Sequence, residues 1–243
     1  MENNNQDYTY QNVIQIDDDA SSRKFMANVF SWMFGALGVS AICAYIFSTN
    51  LALESQIQDP TTLAPTGLGL ILMIAPLAFI LLINFGLNRI SFGVLALIYV
   101  AYAACTGISL SILLYIYTAS SVLGVFVITS VMFGIMAIAG YTTRTDLTKF
   151  GSLLYMALIG LIIATVVNFF MHSEGMFMLL NYIGVLIFTG LTAFKVQMLK
   201  RIGAGLEYGS ADSKKLALMG GLSLYLTFVN LFIRLLMIFG RRR

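Results

Sequence analysis

The chain has 243 residues, 59% hydrophobic and only 10% charged, and its 14 Lys and Arg against 11 Asp and Glu leave a formal net charge of +3. A soluble domain is about 45 to 50% apolar and about 25% charged, so the composition excludes that class and marks an integral membrane protein. No nucleic-acid partner is expected of it.

Residues 1–24 come first, rich in Asn, Gln and Asp and carrying the acidic run Asp17, Asp18, Asp19. Such a stretch cannot bury apolar area and is expected to be a polar, disordered tail, followed by a single transmembrane domain over 25–243. Apolar runs long enough to cross about 30 Å of hydrocarbon, which takes roughly 20 residues, lie at 25–49, 66–86, 92–116, 119–141, 151–172, 176–199 and 216–240. The runs are continuous rather than alternating, so they predict helices and not barrel strands. The fold class is all-α: a polytopic bundle of seven transmembrane helices. The connections 88–91, 117–118 and 173–175 are so short that the helices they join must run antiparallel and side by side.

Lys and Arg collect in alternate connections: Arg23 and Lys24, then Arg89, then Arg144 and Lys149, then Lys200, Arg201, Lys214 and Lys215. The intervening loops have none, which places the N-terminus in the cytoplasm. Seven full crossings then put Arg241, Arg242 and Arg243 on the outer face against the rule. A full crossing of the last helix is the preferred reading, and a last helix that turns back is the alternative.

Within the seven runs the charged residues are Lys195 and Arg234, with no acid. A lone cation in hydrocarbon costs from about 3 to above 10 kcal/mol, which makes both positions candidates for function. Lys195 could snorkel to the cytoplasmic interface and Arg234 to the outer one, or Lys195 could point inward and oppose cation passage. Asn168, Asn181, Gln197, Thr227 and Asn230 are polar neighbours that interhelical hydrogen bonding would explain. Gly35 with Gly38, Gly134 with Ala137, and Gly184 with Gly190 and Ala193 are spaced for close helix packing, and Pro76 for a kink in the second span. Cys43 and Cys105 read as packing residues. No nucleophile, base and oxyanion hole come together, so no enzyme is expected, and neither a cofactor nor a metal ligand set is implied.

The run Gly140, Tyr141, Thr142, Thr143, Arg144, Thr145, Asp146, Leu147, Thr148, followed by Met156 to Ala164 and Asn168, closely resembles the central signature of the Bax inhibitor family. Thr106 to Ser111, Gly184 to Ala193, and Asn230, Leu231, Phe232 with Phe239 and Gly240 resemble it too. The resemblance implies a seventh helix at the centre of a ring of six, and a pH-sensitive calcium leak. It also implies two aspartates sharing a proton, in a Tyr-Asp-Thr-Gln motif on span six and a Leu-Asp-Phe motif on span seven. This chain reads Phe194, Lys195, Val196, Gln197 and Leu226, Thr227, Phe228 at those places. A base and a neutral hydroxyl stand where the two acids would be.

The expectation is an inner-membrane protein of the leak-channel class in which calcium conduction is altered or lost. Lys195, Thr227, Gln197, Asn230 and Arg234 form the candidate pore or gate, and Asp146 either caps span five or pairs with Arg144. The lipid bilayer is the expected partner, with calcium by resemblance. The alternative is a membrane interaction protein whose tail meets a partner such as a membrane protease.

Overall fold

The computed structural model describes residues 4–59 (side chains from residue 20), 66–72, 75, 79, 90–206 and 210–242. The helices are α1 (Asn4–Thr49), α2 (Leu51–Ile57), α3 (Phe92–Ile116), α4 (Ala119–Thr142), α5 (Thr148–Met171), α6 (Glu174–Ala204) and α7 (Ala211–Phe239). All but α2 carry a stretch long and apolar enough to span a bilayer, in α1 from Ala20 to Thr49. The expected second span, 66–86, falls largely outside the described residues, as do Pro76 and Arg89. Helix is described there at 67–72, 75 and 79.

The starts of α6 and α7 are fixed by side-chain caps that satisfy first-turn N–H groups. Ser173 Oγ accepts from Met176 N at 3.3 Å, and Ser210 Oγ accepts from Ser213 N at 3.1 Å. The polar ends of the last three spans are helical as well, so α5 begins at 148 rather than 151 and α6 runs to 204 rather than 199. The backbone before the first span is helical from Asn4, continuous with it. Between α5 and α6 the chain reverses at His172, which takes a left-handed conformation (φ 52°) while its N–H reaches Asn168 O at 2.8 Å.

The interior is made by α6 and α7, with 50% and 56% of their membrane stretches buried, against 11% for α5. α7 packs on α1, α3, α4 and α6, and α5 lies on α6 at the periphery. Whether six helices close around α7 turns on the 66–86 segment. At the junction of α1, α3 and α7 Ser40 Oγ donates to Ala103 O at 2.7 Å and meets Tyr225 Oη at 2.6 Å. Tyr99 and Tyr102 abut the Tyr225 ring edge to face, at 6.3 and 5.8 Å between centroids.

The last helix is unbroken from Ala211 to Phe239. Near its start Gly220 meets Leu199 of α6 and Val29 of α1. Past its end Arg241 O accepts from Thr118 N at 3.0 Å, and Arg241 N donates to Ser121 Oγ at 2.9 Å, beside the turn between α3 and α4. The reading of a last helix that turns back is therefore set aside.

Close helix packing falls on partly different glycines from those expected. Gly35, Gly38 and Gly134 face open space, with nothing within 4 Å of a built Cβ. The tight crossings are at Gly107, whose missing Cβ leaves room for the backbone of Ser40, and at Gly140, which lies against the backbone of Ala193. Gly107→Ala should lower stability in detergent by about 1 to 3 kcal/mol, as overpacking does. Gly35→Ala should leave it unchanged or raise it by about 0.5 to 1 kcal/mol, the gain in helix propensity. Thermal unfolding of the two variants beside the parent checks both.

Candidate functional site

The two cations of the apolar runs, both partly buried, stand on the two interior helices. A Cα–Cβ bond tilts toward the N-terminus of its helix. Lys195 lies in the second half of α6, and its side chain leans toward the middle of the bundle; Arg234, in the second half of the antiparallel α7, runs along Gly184 to Asn181 of α6. Neither snorkels. Lys195 Nζ donates to Thr227 Oγ1 at 2.9 Å and to Ser223 O at 3.2 Å. Thr227, 1% exposed, donates its own hydroxyl to Ser223 O at 2.9 Å. The hydroxyl's lone pair is thus turned to the ammonium.

Span boundaries read from hydropathy place Lys195 about 8 Å from the end of its helix, at 1.5 Å per residue. In the structure α6 continues to Ala204, so Lys195 lies about 14 Å from that end. The longer helix and the lysine stem bring it level with the middle of α7.

Arg234 makes the reciprocal contact. Its Nη1 donates to Asn181 Oδ1 on α6 at 3.0 Å, and Asn181 is fully buried with its amide donating to Phe177 O at 3.0 Å. Gly184 lies under the arginine stem, where a Cβ would come within 3.2 Å of Cδ and Nε. Seven residues separate Thr227 from Arg234, so the two contacts lie about 10 Å apart along α7. Both cations are held by neutral acceptors.

The other candidates separate from this pair. Asn230 donates to Leu226 O of its own helix at 2.8 Å. Asn168 is buried on α5, its Oδ1 without a hydrogen-bond partner among the described residues. Gln197, 6% exposed, faces the loop between α4 and α5: its Nε2 donates to Thr145 O at 2.8 Å and its Oε1 accepts from Leu147 N at 2.8 Å. It holds a connection rather than facing Lys195.

That connection is clamped further by ions. Asp146 pairs with Arg201 of α6 at 2.8 Å, not with Arg144 as the loop sequence suggested, because the end of α6 lies alongside the loop. Its Oδ1 also accepts from Thr148 N at 2.9 Å at the start of α5. Arg201 Nη1 donates to Thr148 Oγ1 at 3.0 Å, and Lys200 Nζ, 4.6 Å above the Tyr141 ring, donates to Tyr141 O at 3.0 Å. Hydrogen bonds from Thr148 and the nearby Arg201 guanidinium hold the Asp146 carboxyl down at about 2. Sequence reasoning missed Arg201, Ser223 and the Ser40–Tyr225 contact. The signal for Arg201 was its place four residues after Gln197, on the same face of one helix.

The chain matches the family model described as "Inhibitor of apoptosis-promoting Bax1" over residues 22–243. It is 39% identical over 225 residues to "Inner membrane protein YbhL" of Escherichia coli K12, covering 92% of this chain and 94% of that protein. A protein of Borreliella burgdorferi is 40% identical over 220 residues (90% and 93%), and a membrane protein of Streptococcus pyogenes is 32% identical over 233 residues (94% and 97%).

Two outcomes are expected here. Thr227→Val should cost about 1 to 3 kcal/mol, because it removes an acceptor from a partly buried cation. Adding Lys195→Met to that variant should restore most of the loss, and thermal unfolding of the single and double variants reads the coupling. A carboxyl held below its free value stabilises the loop above the free value, near 4, and that contribution fades as pH falls toward about 2. Hydrogen exchange at the amides of 145–148 should therefore be flat between pH 5 and 8, after correction for intrinsic exchange, and lose protection only below about pH 4.

Proposed function

The chain belongs to the Bax inhibitor-1 family of multi-pass membrane proteins, and from that premise we propose that it is a leak-channel scaffold whose calcium pathway is held shut by a fixed cation. The observation that carries the reading is the 2.9 Å contact between Lys195 and Thr227, at the two positions where the family pattern has aspartates. Two aspartates in reach of one another share a proton and titrate as a coupled pair. An ammonium and a hydroxyl cannot, because the hydroxyl has no second charge state at ordinary pH.

The roles follow from position. Lys195 supplies positive charge between the two most buried helices, and Thr227 with Ser223 O keeps it there. At 4 Å and an effective dielectric of 20, a divalent cation meets about 8 kcal/mol of repulsion from one ammonium. Arg234 adds a second charge about 10 Å further along α7. Gln197 and Arg201 hold the 142–148 connection against α6 at the end nearest Lys195. Asn230, bonded within its helix, lines the same interior.

The same reading places the protein in a bacterial inner membrane with its N-terminus in the cytoplasm. Supporting it are the Lys and Arg in alternate connections and the name of the Escherichia coli relative.

Purified protein in calcium-loaded liposomes should leak calcium no faster than empty liposomes, with no steep dependence between pH 6 and 8. Lys195→Asp together with Thr227→Asp should open a leak that rises or falls several-fold across that range. A steep pH-dependent calcium leak from the unaltered protein would overturn the proposal.

A further inference from the structure

α7 is covered by α6 on one side, but on another α1 and α4 stand apart and leave a crevice down to Phe228. Two hollows run along it. One of about 300 Å³ is lined by Ala44 and Tyr45 of α1, Val122 and Leu123 of α4, and Leu236 of α7. The other, of about 650 Å³, is lined by Phe30, Phe34 and Gly38 of α1 and by Ser130, Gly134 and Ile138 of α4. They share Leu37, Ala41, Phe126 and Phe228 as walls. From Phe30 to Tyr45 the crevice extends roughly 22 Å along α1, at 1.5 Å per residue.

Three features select an occupant. The lining is apolar, and its serines are already bonded: Ser130 to Phe126 O at 2.8 Å, Ser40 to Ala103 O and Tyr225. No polar group asks for water, and apolar cavities stay dry and take apolar guests, an enclosed one of about 150 Å³ being enough for benzene. The mouth is flanked by exposed Phe34, Tyr45, Leu123 and Ile138 on membrane-spanning stretches, so the crevice continues the face the protein turns to bilayer hydrocarbon. Gly38 and Gly134, with nothing within 4 Å of a built Cβ, keep the larger hollow open from both walls.

We propose that the larger hollow between α1 and α4 is a binding site for a single acyl chain of a bilayer phospholipid. The chain lies between Gly38 and Gly134 and ends against Phe228. That ring is held edge to face between Phe126 and Phe133, at centroid distances of 5.6 and 5.4 Å, and it is the residue after Thr227. A filled hollow therefore buttresses the turn of α7 that receives the Lys195 hydrogen bond.

The test fills the hollow from its own walls. Gly38→Leu with Gly134→Leu puts side chains where a Cβ meets nothing, so the variant should fold, which its thermal unfolding midpoint checks. Gly35→Leu, an open position that does not line the crevice, is the control. Full-length proteins are delipidated in detergent and titrated with palmitoyl-oleoyl phosphatidylglycerol, and bound lipid is counted by native mass spectrometry. The parent and the Gly35 variant should hold one lipid about tenfold more tightly than the double variant, the equivalent of a buried methylene or two. Equal retention by all three proteins, or equal loss in the control, would overturn the proposal. So would a double variant that turns from dimer to monomer with its lipid count unchanged, since the occupant would then be a second copy of the chain.

Discussion

Hydrocarbon offers no hydrogen-bond partner, so every polar group carried into the membrane must find one inside the protein or return to the surface. In this bundle that requirement meets the direction in which helices aim their side chains. α6 and α7 are antiparallel neighbours, and the one cation in the apolar run of each, Lys195 and Arg234, lies in its second half. The tilt of the Cα–Cβ bond carries Lys195 toward the middle of α7, while Arg234 lies along Gly184. α6 gives its cation to Ser223 and Thr227 of α7, and α7 gives its own to Asn181 of α6. Sliding one helix along the other by a turn would break both contacts, so the pair of cations sets the register of the two interior helices.

Around that pair, packing is uneven in a way the glycines record. Where backbones cross closely, as at Gly107 on Ser40 and Gly140 on Ala193, a methyl group has no room. Where α1 and α4 stand apart, Gly38 and Gly134 meet nothing. One residue type therefore serves contact at one crossing and space at another. Spacing along the sequence cannot separate the two, since both give small residues at helical intervals.

What was legible in the sequence was whatever depends on local composition. The apolar runs gave the spans, short connections such as 117–118 gave the antiparallel neighbours, and the absence of acid in the runs singled out Lys195 and Arg234. What was illegible depended on which residues of distant segments share a level in the membrane. Hydropathy ends a span where charge begins, yet α6 runs on through Lys200 and Arg201 to Ala204, and that extra turn deepens Lys195 and brings Arg201 to Asp146. Polar residues grouped by their nearness to the cations proved to serve separate tasks: Asn181 receives Arg234, Gln197 pins a loop, and Asn230 bonds its own helix.

The Lys195–Thr227 contact differs from an acid pair in kind as well as in charge. Two carboxyls at hydrogen-bonding distance hold together only while one of them keeps a proton, so their contact weakens when that proton leaves. In the contact seen here the threonine hydroxyl spends its hydrogen on Ser223 O and offers a lone pair to the lysine. That arrangement needs no shared proton, and the hydroxyl has no charged form to repel its partner. Such a contact joins the two interior helices without a carboxyl on either side of it. What then bears on this turn of α7 is packing, through Phe228 and whatever lies in the crevice beside it.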